Sequence, residues 1–142
     1  MSEILYEARI AITKVTAFGT NLSDIWQGKV PPQGLRFDVA FEGPIQGQLE
    51  GVLCGVEHLL VRADGGVSLS SRGTITIPGG RALAWNTTGV GSLREDGPFL
   101  DGSEIVTLHS TYPDMVWLNT QRILSHGITD FESNNLSVTA YL

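Results

Sequence analysis

The sequence contains a single cysteine, Cys54, and it lacks both a cluster of basic residues and a long hydrophobic run. One cysteine excludes an internal disulfide and is typical of proteins from a reducing compartment. Cys54 lies among Val52, Leu53 and Val56, which predicts an inert buried thiol. No hydrophobic run is long enough to span a bilayer, and the first residues do not combine a basic start with an apolar stretch. The sequence therefore predicts a cytoplasmic protein without a membrane partner.

Positive charge is scarce. Nine lysines and arginines stand against fifteen aspartates and glutamates, which gives a net charge of −6. Binding to nucleic acids needs a basic surface that displaces the counterions of the phosphates, and no part of the sequence concentrates basic residues in that way. We therefore predict that no nucleic acid is a partner.

Glycine, in contrast, is abundant, with 17 among 142 residues, and it follows no Gly-X-Y period. This abundance favours tight turns and close backbone contacts over a fibrous or disordered chain. With 42% hydrophobic and 17% charged residues, the composition is typical of a globular protein. The length suits one domain with its own core, and no repeat or linker divides it. We predict a single domain over residues 1–142.

Most of the sequence alternates apolar and polar residues with a period of two, which predicts β-strands separated by turns such as Gly43-Pro44 and Asp64-Gly65. About nine strands are predicted, over residues 4–13, 35–42, 45–53, 56–62, 67–77, 81–88, 104–111, 121–131 and 136–142. So many strands with short connections indicate an antiparallel meander, and such a meander closes into a barrel because closure removes the exposed edges.

Residues 16–33 lack the strand pattern and contain the best helix signal, in NLSDIWQG. Asn21 or Ser23 is the expected N-cap of a single helical turn, which Gly28 ends. We predict that this segment lies across one end of the barrel like a lid. The predicted fold is therefore all-β, a single antiparallel β-barrel with a short lid-like helical or loop insertion.

From residue 36 onward the sequence combines a Phe-x-Gly-Pro turn, a Gly followed closely by an acid, an Asp-Gly hairpin, an Arg in the next strand, and a Trp-Leu-Asn near the end. These features fall on Phe41, Gly43, Pro44, Gly55, Glu57, Asp64, Gly65, Arg72, Trp117, Leu118 and Asn119. In this order and spacing, they resemble the bacterial and fungal "domain of unknown function 3237" family. The resemblance implies a calycin-like β-barrel that often self-associates, and it implies almost nothing about a substrate.

The sequence departs from the family pattern at three places. The family usually has Asp where this sequence has Glu57, and an aromatic residue where it has His58. The Asp-rich turn of the family is replaced by Pro78-Gly79-Gly80. If function depends on these positions, a divergent activity follows.

Glu57 and His58 are neighbours in a predicted strand, so their side chains point to opposite faces. A direct acid–base pair between them would require a bulge near Gly55 that re-aims one of them. The acid at the matching position of the family favours Glu57 as the residue that points into the barrel. The alternative is a surface carboxylate, because glutamate is rarely buried unless it is paired.

Arg72 lies in the predicted strand 67–77, whose other face is apolar. If that apolar face packs against the lid or a partner subunit, Arg72 points into the barrel. A buried guanidinium group would need a carboxylate there, from Glu57 or from an anionic substrate. The alternative is that Arg72 belongs to a solvated Ser/Thr face.

Trp117 and Asn119 fall in YPDMVWLNTQ, an irregular stretch that we expect to close one end of the barrel. They would offer a ligand an aromatic wall and an orienting amide. The alternative is a hydrophobic plug, with Asn119 bonded to the loop backbone. We assign Trp117, Trp85 and His109 to substrate binding.

The sequence motifs of metal, nucleophilic and nucleotide chemistry are not present. His58, His109 and His126 lie in three separate predicted strands, without a His-x-His pair or a nearby cysteine. There is no Gly-x-Ser-x-Gly motif, and no glycine-rich loop precedes a helix. We therefore predict no metal site and no cofactor.

The sequence leaves three functions open. The first is a cofactor-independent isomerase, cyclase or lyase that moves a proton on a small apolar molecule. In this enzyme Glu57 is the acid or base, and Arg72 and Asn119 stabilise developing negative charge. The other two are a non-catalytic carrier of an apolar ligand and an oligomeric scaffold with a filled barrel. Gly-rich strands with two partly apolar faces predict a homo-oligomer, with a dimer favoured.

Overall fold

The computed structural model describes residues 3–142 and is a closed barrel of eight antiparallel strands. The strands are β1 (Ile4–Ala17), β2 (Leu35–Gly47), β3 (Gly51–Val61), β4 (Gly66–Ile77), β5 (Arg81–Leu93), β6 (Phe99–His109), β7 (Ile123–Asp130) and β8 (Asn135–Tyr141). Each strand pairs with its neighbours in sequence, and β1 pairs with β8 to close the sheet. The helical elements are α1 (Ser23–Trp26) and a 3-10 helix (Val116–Thr120). The predicted all-β antiparallel barrel is confirmed.

The barrel has one strand fewer than the nine or so predicted, because Gly43-Pro44 does not form a turn. β2 runs through both residues, and the chain reverses only at residues 48–50. Proline has no N–H to donate to a neighbouring strand, so it fits only where the pairing is interrupted. Pro44 lies at such a point, because the pairs of Pro44 with Arg9 and of Gly43 with Ile10 are missing from the ladder between β1 and β2.

The alternation along each strand sorts apolar side chains into the barrel and polar side chains onto its surface. Two buried apolar clusters fill the two ends of the interior. The first includes Tyr6, Ile10, Ile45, Leu53, Ile75, Leu83 and Ile123. The second includes Leu35, Phe37, Leu59, Val61, Val67, Leu69 and Leu100. Burial of this apolar surface is the main stabilising contribution to the fold.

The lid predicted over residues 16–33 is present, although it begins later because β1 continues to Ala17. Ile25 of α1 is buried in the second apolar cluster, and Leu22, Trp26 and Val30 pack beside it. We call this end of the barrel the lid end. The lid therefore covers the interior through apolar side chains from one short segment.

The 3-10 helix closes the opposite end, which we call the plug end. Its Leu118 is 1% exposed and belongs to the first apolar cluster. Cys54 faces outward on β3 and is exposed, so the prediction of a buried thiol is wrong. The strand pleat explains this, because Leu53 takes the inward position next to it. Within residues 3–142, no helix has the length and apolar character needed to cross a membrane.

Candidate active site

Two glutamates meet inside the barrel. Glu57 lies on β3 and Glu104 lies on β6, and each alternates with apolar residues that face the interior. Both side chains line an internal cavity of about 40 Å³. The structure thus places Glu57 inside the barrel, the orientation that we predicted, and it adds a second acid that we did not predict.

Each carboxyl group accepts a hydrogen bond from a hydroxyl group on an adjacent strand. Ser71 of β4 lies directly opposite Glu57 in the register of β3 and β4, and its hydroxyl donates to the Glu57 carboxyl group. Thr87 of β5 lies opposite Ser71, and its hydroxyl donates to Glu104. Ser71 and Thr87 are buried. The two acids and their two hydroxyl donors therefore lie on four neighbouring strands.

Gly89 makes room for one of the acids. It lies opposite Glu104 in the register of β5 and β6. A Cβ atom at position 89 would lie 2.8 Å from Cγ of Glu104 and would also collide with the carbonyl oxygen of Ser103. The close approach of the two strands at this point thus requires glycine, and the missing side chain leaves the space that Glu104 occupies.

Burial changes the protonation of both acids. It raises the pKa of Glu57 to about 9, and the negative charge of Glu104 adds to the rise. Burial also raises the pKa of Glu104, although the hydrogen bond from Thr87 acts in the opposite direction. The interaction between the two carboxyl groups raises the pKa of Glu57 and lowers that of Glu104. At neutral pH Glu57 is therefore an uncharged carboxylic acid, and the two groups titrate as a pair.

The remaining wall of the cavity is mostly apolar. Around the two acids and Ser71 it consists of Ile10, Phe41, Leu53, Leu69, Trp85, Leu100, Gly102, Ser125, Gly127, Thr129, Leu136 and Val138. A second cavity of about 20 Å³ adjoins the first, and Glu57 and Phe41 line both. Among residues 3–142, no lysine, arginine or histidine lines either cavity. The acids therefore lie in a low-dielectric space without a cationic partner.

Trp85 forms part of this wall and is held rigidly. Its indole N–H donates a hydrogen bond to the Tyr6 hydroxyl group at 3.1 Å, and its ring meets the Phe41 ring edge-on, with centroids 5.7 Å apart. Burial raises the pKa of Tyr6 to about 12, so the phenol stays protonated. Trp85 thus lies where a ligand in the cavity would touch it, and its role in substrate binding stays a prediction.

Arg72 and His109 point away from the interior, so the interior position expected for Arg72 is wrong and His109 does not reach the cavity. Arg72 follows the inward-facing Ser71 on β4 and is exposed. The apolar face of β4 lines the barrel, which leaves the opposite face to solvent. His109 is exposed for the same reason, because the buried Leu108 precedes it.

Asn119 and Trp117 lie at the plug end, and neither lines the cavity. The Asn119 side chain accepts a hydrogen bond from the Ser110 N–H at 2.9 Å and donates one to the Ser110 carbonyl oxygen at 2.8 Å. Its amide group therefore holds the 3-10 helix against the chain that leaves β6. Leu118 is buried, whereas Trp117 is 45% exposed. This is the hydrophobic plug that we gave as the alternative.

His58 faces outward, as the alternation along β3 requires. Its Nδ1 lies 2.8 Å from the Asp38 carboxylate on the neighbouring strand, so the two form a surface pair. Glu57 and His58 therefore do not act on each other. Within residues 3–142, no group of three or more His, Cys, Asp or Glu side chains is placed to hold a metal ion.

Our sequence prediction missed Glu104, Ser71 and Thr87. A signal for Glu104 was present, because it shares the inward face of its strand with Val106 and Leu108. Ser71 and Thr87 had no such signal, because serine and threonine occupy both faces of these strands. Their contribution depends on which strands are paired and in which register.

No protein-family model matches the chain, and no curated protein matches it in sequence. Several solved structures are similar to it. A protein of unknown function from Clostridium acetobutylicum has a TM-score of 0.79 and 19% identity, with 99% of this chain and 97% of that chain covered. A β-barrel-like protein from Acinetobacter baumannii has a TM-score of 0.75 and 16% identity, with 99% and 94% covered. An enzyme from Penicillium herquei has a TM-score of 0.64 and 16% identity, with 100% and 94% covered.

Proposed function

We propose that this barrel is a cofactor-independent enzyme, an isomerase, cyclase or lyase that acts on a small apolar substrate by proton transfer. The observation that carries the proposal is the pair of buried acids on the wall of an apolar cavity. Titratable groups whose pKa is strongly shifted inside a cavity are typical of functional sites. The similarity to an enzyme from Penicillium herquei supports a catalytic role for a barrel of this kind.

Glu57 acts as the general acid, because it carries a proton at neutral pH. A double bond or a hydroxyl or ether oxygen of the substrate provides the electron pair that takes this proton, and Glu57 becomes a carboxylate. The carboxyl pair then removes a proton from a second position of the substrate, which restores Glu57 and completes an isomerisation. Attack by a hydroxyl group within the same molecule, followed by loss of its proton to the carboxylate, gives a cyclisation instead. If the protonated oxygen leaves as water or an alcohol, loss of a neighbouring proton to the carboxylate completes an elimination.

The interior favours positive charge on the substrate. Our sequence prediction assigned the stabilisation of negative charge to Arg72 and Asn119, and the structure places neither of them at the cavity. A carboxylate in a low-dielectric space strongly stabilises a cation beside it and repels an anion. We therefore propose that the reaction passes through a cation-like transition state, and that the substrate enters as a neutral molecule.

A conversion assay tests the proposal against the carrier and the scaffold. The wild-type protein and the Glu57→Gln variant are each incubated with a mixture of neutral apolar compounds, and chromatography with mass spectrometry identifies bound compounds and products. We expect the wild type alone to convert at least one compound to an isomer of equal mass or to an elimination product. Equal retention of a compound by both proteins without conversion would indicate a carrier. If neither protein retains or converts any compound, the enzyme and the carrier are both contradicted and the scaffold remains.

A further inference from the structure

The carboxyl pair lies between the two apolar clusters that fill the ends of the barrel, and both acids are partly buried. The first cavity has room for about three water molecules, and the second for about one. A substrate with several carbon atoms does not fit in this space. A ligand therefore reaches Glu57 only when one end of the barrel opens, and the two ends differ in how they are held.

Hydrogen bonds and ion pairs hold the plug end. The Asn119 amide makes two hydrogen bonds to the backbone of Ser110. Arg81 at the start of β5 makes a two-pronged ion pair with Asp114, with distances of 2.7 and 3.1 Å. Opening this end would break these contacts and would expose the buried Leu118 to water.

The lid segment itself packs on the barrel through apolar side chains and through the Phe18 ring beneath the Arg36 guanidinium group. A continuous series of contacts leads from this segment to the acid. Phe131, just after β7, lines the second cavity together with Glu57. On its other side, the Phe131 ring packs against the Trp26 ring of the lid, with centroids 5.6 Å apart and planes tilted by 56°. Phe131 therefore stands between the acid and Trp26 of the lid.

Trp26 contains an unsatisfied polar group in the closed barrel. Its indole N–H is buried, and no acceptor among residues 3–142 lies within hydrogen-bond distance of it. Buried polar groups nearly always have a partner, and one without a partner destabilises the closed state. An acceptor atom on a ligand would remove this penalty, and so would water when the lid opens.

The lid is joined to the barrel by glycines at both ends. Gly19 has a φ of 99° and Gly34 has a φ of 80°, both in the left-handed region that only glycine adopts without strain. At Gly34 a Cβ atom would lie 2.8 Å from the carbonyl oxygen of Val61. The two glycines therefore let the chain turn sharply on and off the barrel, and they provide the backbone freedom for a hinge.

We infer that the ligand site extends from the carboxyl pair to the lid, with Phe131 closing the passage and the Trp26 indole N–H binding an acceptor oxygen of the ligand. This inference rests on the proposed function. The inferred site selects neutral apolar ligands. One end of such a ligand carries a proton-accepting group near Glu57, and its other end carries a carbonyl, ether or hydroxyl oxygen near Trp26.

Labelling with diisopropylcarbodiimide, a neutral apolar reagent, tests the passage. The O–H of a protonated carboxyl group adds across one C=N bond of the reagent, and rearrangement to the N-acylurea retains the whole reagent on the side chain. The rate is followed by intact mass and peptide mapping in three proteins: the wild type, Phe131→Ala, and Tyr112→Ala. Tyr112 is the matched control because it is a partly buried aromatic residue that packs at the plug end.

We expect Phe131→Ala to speed labelling of Glu57 by about ten-fold, since it removes an aromatic contact and its buried area. Tyr112→Ala should leave the rate within about two-fold of wild type, because the plug end is not the route. Equal rates in all three proteins would overturn the route and leave the proposed acid intact. If Glu57 stays unlabelled even in Phe131→Ala, while circular dichroism shows a folded barrel, the protonated acid of the proposed function is contradicted instead.

The Trp26 contact is tested with acetophenone, a neutral apolar ketone, by following the indole N–H signals of the three tryptophans in ¹⁵N-labelled protein. We expect the Trp26 signal, assigned by its loss in Trp26→Phe, to move downfield on titration with the ketone. The exposed Trp117 should move little and serves as the control. An unchanged Trp26 signal at ketone concentrations that shift the Glu57 carboxyl signal would overturn its role as a ligand donor.

Discussion

Replacing Glu57 with glutamine stabilises the protein at about pH 8 and changes its stability little at pH 4.5. In the folded state burial raises the pKa of Glu57 from 4.5 to about 9. Below pH 4.5 the carboxyl group is protonated in both the folded and the unfolded states, so it adds no pH dependence. Between pH 4.5 and 9 the unfolded chain releases the proton and the folded protein retains it. The free energy of unfolding then falls by up to about 1.4 kcal/mol per pH unit.

Glutamine cannot ionise, so Glu57→Gln removes this dependence. We expect its melting temperature at about pH 8 to exceed that of the wild type by about 10 to 20 °C. Glu42→Gln is the matched control, because it makes the same change from carboxyl group to amide at an exposed position of β2. Parallel curves of melting temperature against pH for the wild type and Glu57→Gln would show that Glu57 is not a buried acid with a raised pKa.

The same substitution abolishes proton transfer. For a substrate found by the conversion assay, we expect Glu57→Gln to lower kcat by about 10²- to 10⁴-fold, the usual contribution of a positioned general acid. KM should change much less, because glutamine keeps the size of the side chain. Glu42→Gln should leave kcat unchanged. A Glu57→Gln variant with wild-type kcat would show that another group donates the proton.

The pH dependence of the reaction identifies the partner of Glu57. In the wild type, kcat falls as the pH rises through about 9, because Glu57 loses its proton. In Glu104→Gln the negative charge that helps to raise the pKa of Glu57 is gone, and the fall in kcat moves to lower pH. Burial remains as a cause, so the pKa of Glu57 stays above its ordinary value. An alkaline limb at the same pH in both proteins would exclude coupling between the two acids.

Stability and the proposed activity therefore oppose each other at the same residue. The carboxyl pair destabilises the folded protein at neutral and alkaline pH, and a neutral amide would suit the apolar interior better. Functional sites often retain groups that the fold would be more stable without. If the barrel were only a scaffold, nothing in its structure would require Glu57 and Glu104 to stay inside.

The alternation of apolar and polar residues was enough to predict the barrel, whereas the inward orientation of Glu57 was predicted from the resemblance to a family with an acid at that position. The prediction failed at Gly43-Pro44, because a turn signal does not show that the neighbouring pairing is already interrupted there. It failed at Arg72 because the apolar face of that strand was allowed to face outward, although a closed barrel needs its apolar faces inside. Both errors concern how strands are arranged, which local patterns do not determine.

The partner acid is the clearest example of what the sequence leaves open. Glu57 and Glu104 are 47 positions apart, as their numbers show, and they lie on strands that are not neighbours. Ser71 donates to Glu57 and Thr87 donates to Glu104, and the registers of β3, β4 and β5 align Glu57, Ser71 and Thr87 in one row. A shift by one residue in any of these registers would turn one member of the row outward.

The most direct test of this account is a ¹³C NMR titration of the side-chain carboxyl groups, with Glu57 assigned through Glu57→Gln. We expect Glu57 to titrate with a pKa of about 9, and Glu104→Gln to lower this value. We also expect the pKa of Glu104 to lie above its ordinary value. A Glu57 carboxyl group that titrates near 4.5, independently of Glu104, would contradict the buried acid pair and the chemistry proposed for it.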